Sequence, residues 1–236
     1  MALRLLSNLK AVLFDLGGTL DGDGEHWLNR FYLLYQEILP RVSWEELKAA
    51  FYQAEDACLT DPRVASLGLE SLVRFHVEQQ LAALRLNDPE PGRVLAQRFL
   101  QASRATLRRN AGVLSRLAPR FRLGVVTNFY GNAARILGEV GIEPLLMAIV
   151  DSKVVGLRKP DAAIFSLALS SLGCAPEAVA YVGDSYNQDI RPAKQLGLMA
   201  IWLRNDAMSA PLPPDFSPDL ADYQIRALPE IESLLP

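Results

Sequence analysis

Five polar residues follow apolar runs or precede a predicted helix, and their types suit phosphoryl transfer. Asp15 ends the run AVLFD, Thr127 lies near the end of LGVVTN, and Asp184 ends AYVGD. Lys159 lies in GLRKPD, and Asp189 follows five residues after Asp184. A carboxylate can attack phosphorus, an ammonium can neutralise the charge that develops there, and carboxylate oxygens are ligands that Mg²⁺ prefers. The set predicts a phosphoryl-transfer site with a divalent metal.

Short apolar runs separated by helical stretches must position these side chains. The predicted strands cover residues 11–15, 123–128, 146–151, 180–184 and 198–203, and the predicted helices between them cover residues 132–140, 161–172 and 189–196. Asp161 is a suitable N-cap for the second of these helices, and Gly173 is a suitable stop. Regular alternation of strand and helix favours a parallel sheet covered by helices on both faces. Since such sheets place their sites at the carboxyl ends of the strands, we expect the polar residues to lie close together.

Residues 25–110 show helical periodicity and no strand pattern. The predicted helices are Trp27–Ile38, Trp44–Cys58, Leu69–Leu84 and Arg93–Arg108. Ser43 and Glu46 have the spacing of a capping box before the second of these. The sequence therefore predicts an α/β fold with a doubly wound, Rossmann-like core formed by residues 1–21 and 111–236. An all-helical domain over residues 22–110 would be inserted between the first two strands.

The composition excludes several classes of protein. Of the 236 residues, 50% are hydrophobic and 22% are charged, with a net charge of −3. The hydrophobic fraction is sufficient for a sizeable core. The small negative net charge produces no overall electrostatic field that would attract nucleic acid or anionic lipid. Cys58 and Cys174 form no CxxC pair, and no signal peptide or apolar run of about 18 residues is evident. We expect a cytoplasmic protein, either a monomer or a homodimer, with a Pro-rich surface loop or linker over Pro211–Pro218.

Four segments, taken in order, resemble the motifs of the haloacid dehalogenase superfamily. They are FDLGGTLD (14–21), VVTN (125–128), RKPD (158–161) and VGDSYNQD (182–189). The helical insertion resembles the helical cap, of the C1 type, found in that superfamily. The tail YQIRALPEIESLLP resembles its closing strand and helix. The resemblance covers nearly the whole chain.

The resemblance implies a catalytic role for four of the residues in these motifs. Asp15 would be the nucleophile that accepts the phosphoryl group. Thr127 would bind the phosphate, with the backbone N–H of Asn128 beside it. Lys159 would stabilise the charge on the nucleophile and on the phosphate.

The same resemblance implies a Mg²⁺ site. Asp15 would be one ligand, and the backbone carbonyl of Gly17 would be a second. Asp184 would bind the metal directly or through water, and Asp189 would support the site. The predicted cofactor is therefore Mg²⁺, and the predicted substrate is a small phosphorylated metabolite.

The sequence departs from the phosphatase pattern at Gly17. Phosphatases of the superfamily carry an Asp two residues after the nucleophile, which protonates the leaving oxygen and then activates water. A backbone carbonyl can still bind metal at Gly17, but glycine supplies no proton, and general acid/base help is worth about 10²–10⁴-fold in rate. Asp21 and Asp23 follow closely in the chain and are candidates to replace it, and His26, near the start of the insertion, could reach the site.

Other functions remain open at this stage. Phosphonate-cleaving relatives carry a small residue at the position of Gly17 and form a Schiff base with a cap lysine, for which Lys48 is the candidate in the insertion. A haloacid dehalogenase needs no metal, whereas Asp184 and Asp189 indicate a metal site. A catalytically inactive protein would bind a phosphorylated ligand or a partner without turnover. Mg²⁺-dependent phosphate-ester hydrolysis is the hypothesis that the motifs favour.

Overall fold

A computed structural model describes residues 8–205, 217 and 220–235. Within these residues the strands form one parallel sheet in the order β3-β2-β1-β4-β5-β6. The strands are β1 Ala11–Phe14, β2 Arg122–Thr127, β3 Leu146–Asp151, β4 Val179–Gly183, β5 Met199–Leu203 and β6 Tyr223–Ile225. The five strands predicted from apolar runs are confirmed to within one residue, and β6 lies in the tail that resembled a closing strand.

The sheet is covered on both faces, which explains why its central strands are apolar without alternation. In β1, Val12 and Phe14 pack into the core on one face, while Ala11 and Leu13 pack into the core on the other. All four side chains are fully buried. The predicted doubly wound α/β fold is therefore confirmed.

Helices occupy the connections between the strands and a long segment between β1 and β2. They are α1 Trp27–Ile38, α2 Trp44–Thr60, α3 Leu69–Ala83, α4 Pro89–Leu117, α5 Ala133–Gly138, α6 Ser152–Val155, α7 Ala162–Leu172, α8 Arg191–Gln195 and α9 Ile231–Leu234. Asp161 caps α7 by accepting from the Ala163 N–H at 2.9 Å, and Gly173 ends it in a left-handed conformation, as predicted. No helix among the described residues combines the length and hydropathy needed to cross a membrane.

The regular elements between β1 and β2 are all helices, joined by turns and loops, and we call α1–α4 the helical insertion. The capping box of Ser43 and Glu46 is present at the start of α2. The helix predicted over Arg93–Arg108 was too short at both ends. Helix α4 begins at Pro89, a favoured position for proline because the N–H groups of the first turn have no acceptor within the helix. Its other end runs past residue 110, so the predicted domain boundary falls inside one continuous helix.

Two further predictions differ in detail from the structure. Asp189 lies inside a π-helical turn, Tyr186–Ile190, that precedes α8, and does not start a regular helix. The stretch predicted as a helix over residues 132–140 is helical only over Ala133–Gly138. The Pro-rich segment Pro211–Pro218 lies outside the described residues, apart from Ser217.

Candidate active site

The topology brings the carboxyl ends of β1 and β4 together at the point where the strand order reverses. Strands β2 and β3 lie on one side of β1, and β4, β5 and β6 lie on the other. Loops leaving adjacent strands at such a point diverge and open a crevice, which is where α/β sheets bind ligands. Asp15 follows β1 and Asp184 follows β4, so both acids stand at this crevice.

Lys159 is buried between two of the predicted acids. Its Nζ lies 2.9 Å from Asp15 Oδ1 and donates to Asp189 Oδ1 at 2.6 Å. It also donates to the Tyr181 hydroxyl at 3.2 Å. Burial disfavours the ammonium, but the two carboxylates outweigh that effect and raise the pKa of Lys159. The lysine is therefore charged, and its ion pair positions the Asp15 carboxylate.

The side chain of Asn128 fixes the backbone of Lys159. Its Nδ2 donates to the Lys159 carbonyl at 3.1 Å, and its Oδ1 accepts from the Lys159 N–H at 2.9 Å. Thr127, which precedes it at the end of β2, is buried and lines the same cavity as Asp15. The resemblance implied only a backbone role for Asn128, so its side-chain role in positioning Lys159 is an addition from the structure.

Asp184 is held by a residue of the first motif. The Thr19 hydroxyl donates to Asp184 Oδ1 at 2.7 Å. Gly18, with φ of +85°, lies against this carboxylate so closely that a Cβ there would meet Asp184 Oδ2 at 2.5 Å. The Gly-Thr pair of the motif GGT therefore serves to seat Asp184 beside Asp15.

Asp189 is fully buried behind the catalytic face. Besides Lys159, it accepts from the Tyr181 hydroxyl at 3.0 Å and from the Ser185 N–H at 2.9 Å. A Cβ at Gly183 would meet the Asp189 side chain at 2.4 Å, so glycine is required there for this approach. Both carboxylate oxygens of Asp189 are thus already engaged by protein donors.

Three of these carboxylates are crowded. Asp15, Asp184 and Asp189 each offer an oxygen within 4.8 Å of the others. Burial, followed by repulsion from Asp15 and Asp189, raises the pKa of Asp184 well above its usual value. One ammonium, from Lys159, faces the three acids. The cluster therefore carries an excess of negative charge that a bound cation would relieve.

Gly17 has room for a side chain. Its φ of −73° and ψ of 119° are ordinary for any residue. A Cβ there would meet only the Phe129 ring, at 3.9 Å, which is ordinary van der Waals contact. Unlike Gly18, the glycine at residue 17 is not required by backbone conformation or by packing.

The two nearby acids that were candidates for proton transfer are engaged elsewhere. Asp21 is buried and accepts from the Gly18 N–H at 2.7 Å and from the Trp27 indole at 2.6 Å, with Arg30 3.3 Å away. Asp23 pairs with Arg109 on α4. Neither carboxylate is among the described residues that line the cavity. Asp21 and Asp23 therefore connect the segment that follows β1 to helices of the helical insertion.

The helical insertion closes one side of a cavity of about 660 Å³ over the sheet edge. From α2, residues spaced by three or four positions line it on one helix face, namely Glu45, Lys48, Tyr52 and Glu55. His26, at the start of α1, lines it as well. This volume is in the range of small-molecule sites, which span roughly 300–1,000 Å³.

Glu55 forms the main polar contact between the insertion and the core within this cavity. It accepts hydrogen bonds from Tyr130, which follows β2, and from His76 Nε2 at 3.2 Å. Burial alone would raise the pKa of the Glu55 carboxyl, but His76 and Tyr130 outweigh it and hold that pKa below its usual value. The helical insertion therefore contributes a fixed carboxylate to the cavity that Asp15 also lines.

The structure thus gathers most of the predicted site residues around one cavity. Those that line it are Asp15, Gly17, Thr127, Asn128, Lys159 and Asp184. Sequence reasoning missed Tyr181, Thr19 and Glu55. Tyr181 sits in an apolar strand, and Glu55 in an ordinary helix, so no local pattern marks either of them. Thr19 was part of the quoted first motif, and its polar side chain among glycines was the available signal.

Comparison with known proteins agrees with the resemblance seen in the four sequence motifs. The sequence matches the family of haloacid dehalogenase-like hydrolases over residues 9–197. It is 31% identical over 238 residues to a phosphoserine phosphatase from Thermus thermophilus, covering 95% of this chain and 92% of that protein.

Two solved structures are similar to the whole chain. One is a dehalogenase solved with an intermediate complex, with a TM-score of 0.62, 20% identity and 97% of each chain covered. Another is a HAD phosphatase from Thermococcus onnurineus, with a TM-score of 0.54 and 22% identity, covering 96% of this chain and 98% of that one. At these identities the likeness shows the shared fold.

Proposed function

The chain belongs to the haloacid dehalogenase-like hydrolases, and from that premise we propose that it hydrolyses a small phosphorylated metabolite through an aspartyl-phosphate on Asp15. The observation that carries this proposal is the ion pair of 2.9 Å between Asp15 and Lys159 at the wall of a small-molecule cavity. The pair holds the carboxylate in position at the cavity wall, as a nucleophile requires.

The chain's own residues supply the remaining parts of phosphoryl transfer. Asp15 attacks phosphorus and the bond to the leaving oxygen breaks. Lys159 neutralises charge on the transferring oxygens, and Thr127 with the backbone N–H of Asn128 would bind the others. Water then attacks the acyl-phosphate, which releases phosphate and restores Asp15.

The donor set fits Mg²⁺. The ion prefers oxygen ligands, and the crowded carboxylates raise the pKa of Asp184 in a way that a divalent cation would reverse. We assign Asp15, Asp184 and the backbone carbonyl of Gly17 as ligands. Both oxygens of Asp189 already accept from protein donors. We therefore assign Asp189 a supporting role, in which it positions Lys159 and the metal site. When bound, Mg²⁺ supplies further charge stabilisation for the transferring phosphoryl group.

The helical insertion is proposed to act as the cap that covers the substrate. It contributes the α2 face and His26 to the cavity wall, opposite the sheet edge. Closure over a substrate would exclude water during transfer. Lys48 and Glu55 offer opposite charges on the same helix face, which suits a substrate carrying both an acid and an amine. O-Phosphoserine is therefore a suitable first substrate, since the relative from Thermus thermophilus is a phosphoserine phosphatase.

The test is phosphate release from aryl, sugar and amino-acid phosphates, measured with Mg²⁺ and with EDTA. We expect turnover that requires Mg²⁺ and is lost in Asp15→Asn, which keeps the size of the side chain. Tyr32→Phe, which removes a hydroxyl from a residue outside the cavity lining, is the matched control and should retain turnover. Absence of turnover on every ester, or turnover that survives Asp15→Asn, would refute the proposal.

A further inference from the structure

A buried tyrosine outside the cavity contacts the lysine of the proposed catalytic site. Tyr181 lies in β4, is fully buried, and is not among the described residues that line the cavity. Its hydroxyl accepts a hydrogen bond from Lys159 Nζ at 3.2 Å. Because Tyr181 offers no surface to a substrate in that cavity, an effect of its hydroxyl on the chemistry must pass through Lys159.

The sheet fixes the position of the Tyr181 hydroxyl. Tyr181 pairs with Leu13 of β1, and its hydroxyl donates to the Val126 carbonyl of β2 at 3.1 Å. Since β1 lies between β4 and β2, the side chain crosses the width of one strand. Its ring packs against Phe165 of α7, with the ring centroids 5.1 Å apart. The place of the hydroxyl is therefore set by regular elements of the core.

Lys159, Asp189 and Tyr181 form a closed triangle of polar contacts. Lys159 Nζ donates to Asp189 Oδ1 at 2.6 Å, and the Tyr181 hydroxyl lies 3.0 Å from the same oxygen. An ammonium can only donate, so the tyrosine oxygen accepts from Lys159. Its own proton is then left for Asp189 Oδ1 or for the carbonyl of Val126. The tyrosine thus offers an acceptor to the lysine and a donor to the acid that holds the lysine.

Two carboxylates compete for the Lys159 ammonium. Its contact with Asp189 Oδ1, at 2.6 Å, is shorter than its contact with Asp15 Oδ1, at 2.9 Å. Asp189 is fully buried and, among the described residues, lies outside the cavity lining, whereas Asp15 lines the cavity. An ammonium drawn completely onto Asp189 would leave the nucleophile and the phosphoryl oxygens without their cation. A neutral acceptor beside Asp189 opposes that displacement.

We propose that Tyr181 is a positioning residue for the Lys159 ammonium, which it holds between the two carboxylates and at the cavity wall. The inference rests on the proposed phosphatase function. The hydroxyl takes one N–H of the lysine and shares Asp189 with it, so the ammonium does not close onto that acid. A cation fixed in this way stabilises the charge of the transferring phosphoryl group without reorganising during the reaction.

Tyr181→Phe removes the hydroxyl and keeps the ring that packs against Phe165, so the variant should fold. Without the hydroxyl, the ammonium should lose its orientation and shift toward Asp189. We expect kcat on O-phosphoserine to fall by at least about 10-fold, since a misplacement of about 1 Å can cost about 10²-fold. KM should change by less than about 3-fold, because Tyr181 touches no part of the substrate. Steady-state kinetics with Mg²⁺ measures both constants.

Tyr35→Phe is the matched control. Tyr35 lies in α1, is also fully buried, and its hydroxyl makes no hydrogen bond within the part of the chain that the structure describes. The two variants therefore remove the same atom from equally buried rings, but the hydroxyl of Tyr181 contacts the lysine. Tyr35→Phe should keep the kinetics of the wild type.

A double-mutant cycle with Lys159→Met separates an effect through the lysine from a general effect on the structure. In the Lys159→Met protein the Tyr181 hydroxyl has no ammonium to position. We expect Tyr181→Phe to lower kcat by at least about 10-fold in the wild-type background and by less than about 2-fold in the Lys159→Met background. p-Nitrophenyl phosphate is the substrate for this cycle, because its good leaving group keeps slow variants measurable.

The Lys159 ammonium can also be followed without turnover. NMR of protein with ¹⁵N-labelled lysine reports how freely the ammonium rotates about its Cε–Nζ bond. Tyr181→Phe should speed up that rotation, because one acceptor is lost, whereas Tyr35→Phe should leave it as in the wild type. Unchanged rotation in Tyr181→Phe would overturn the positioning role.

The kinetic outcomes separate this role from failure of the phosphatase assignment. An unchanged kcat in Tyr181→Phe, with Asp15-dependent turnover intact, would overturn the role of Tyr181 alone. The same loss in both backgrounds of the cycle would also overturn it, because the effect would not pass through Lys159. An inactive wild-type enzyme would overturn the proposed function and this inference together.

Discussion

Lys159 Nζ lies 2.9 Å from Asp15 Oδ1 and 2.6 Å from Asp189 Oδ1, although the three residues come from distant parts of the chain. Within the part of the chain that the structure describes, the lysine is the cation that lies between two buried acids. Its position links the stability of the cluster to the chemistry proposed for Asp15. This relationship leads to predictions for both stability and activity.

Replacing Lys159 with Met should reduce both the stability and the activity of the protein. Removing a positioned cation from a transition state typically costs about 10²–10³-fold in kcat. Breaking a buried ion pair typically destabilises a protein by about 3–5 kcal/mol, because a charge is left without its partner. Steady-state kinetics and thermal unfolding measure the two effects. A stable, fully active Lys159→Met variant would contradict the assignment of Lys159.

Gly17→Asp should increase the rate on alkyl phosphates. The backbone at Gly17 is ordinary, a Cβ would only touch the Phe129 ring at 3.9 Å, and the residue lines the cavity, so a Cβ can be added there without strain. We expect a gain of at least about 10-fold in kcat on O-phosphoserine, since a positioned acid is worth about 10²–10⁴-fold. The matched control is Gly17→Asn, which adds similar bulk without a carboxyl. Equal effects of the two substitutions would argue against proton transfer.

Asp184→Asn should remove most of the thermal stabilisation that Mg²⁺ gives to the folded protein. Wild-type protein should gain thermal stability on addition of Mg²⁺, because a ligand that binds only the native state stabilises it. The variant should lose most of that gain. Without metal it should be at least as stable as the wild type, because burial and two neighbouring carboxylates disfavour the charge on Asp184. A metal response equal to that of the wild type would exclude Asp184 as a ligand.

Glu55 should make stability depend on pH. Its folded-state pKa lies below the ordinary glutamate value of 4.5, so its stabilising contribution is complete above about pH 4.5 and is lost as pH falls through the folded pKa. Glu55→Gln should therefore be less stable at pH 7, by about 1–3 kcal/mol for hydrogen bonds to a charged group. The variant should also lose less stability than the wild type below pH 4.5. Chemical denaturation at several pH values measures the free energy of unfolding of both proteins. The same pH dependence in the variant and in the wild type would contradict the prediction.

Much of the fold could be predicted because its signals are local. Apolar runs that end in Asp15, Thr127 or Asp184 specify both a buried strand and the edge at which its last polar residue lies. Parallel pairing then gathers the ends of these strands, so the main residues of the site were predictable without knowledge of the loops.

The rest could not be predicted because it depends on contacts between distant segments. Asp21 and Asp23 looked available in the sequence, but their partners, Arg30 and Arg109, lie on helices whose packing no local pattern specifies. Glu55 looked like an ordinary helical residue until the fold placed it against Tyr130. The predicted helix began only at Arg93, after two prolines, whereas α4 begins at Pro89 because proline is accepted in the first turn of a helix.

The central claim is the covalent intermediate on Asp15, and trapping it is the most direct test. The enzyme would be quenched during turnover of O-phosphoserine with Mg²⁺, reduced with borohydride, digested and analysed by peptide mass spectrometry. Borohydride reduces an acyl-phosphate to an alcohol, so the account predicts homoserine at position 15 that depends on substrate and is absent from Asp15→Asn. Turnover without any modification at position 15, or a reduced substrate adduct on Lys48 in its place, would contradict it.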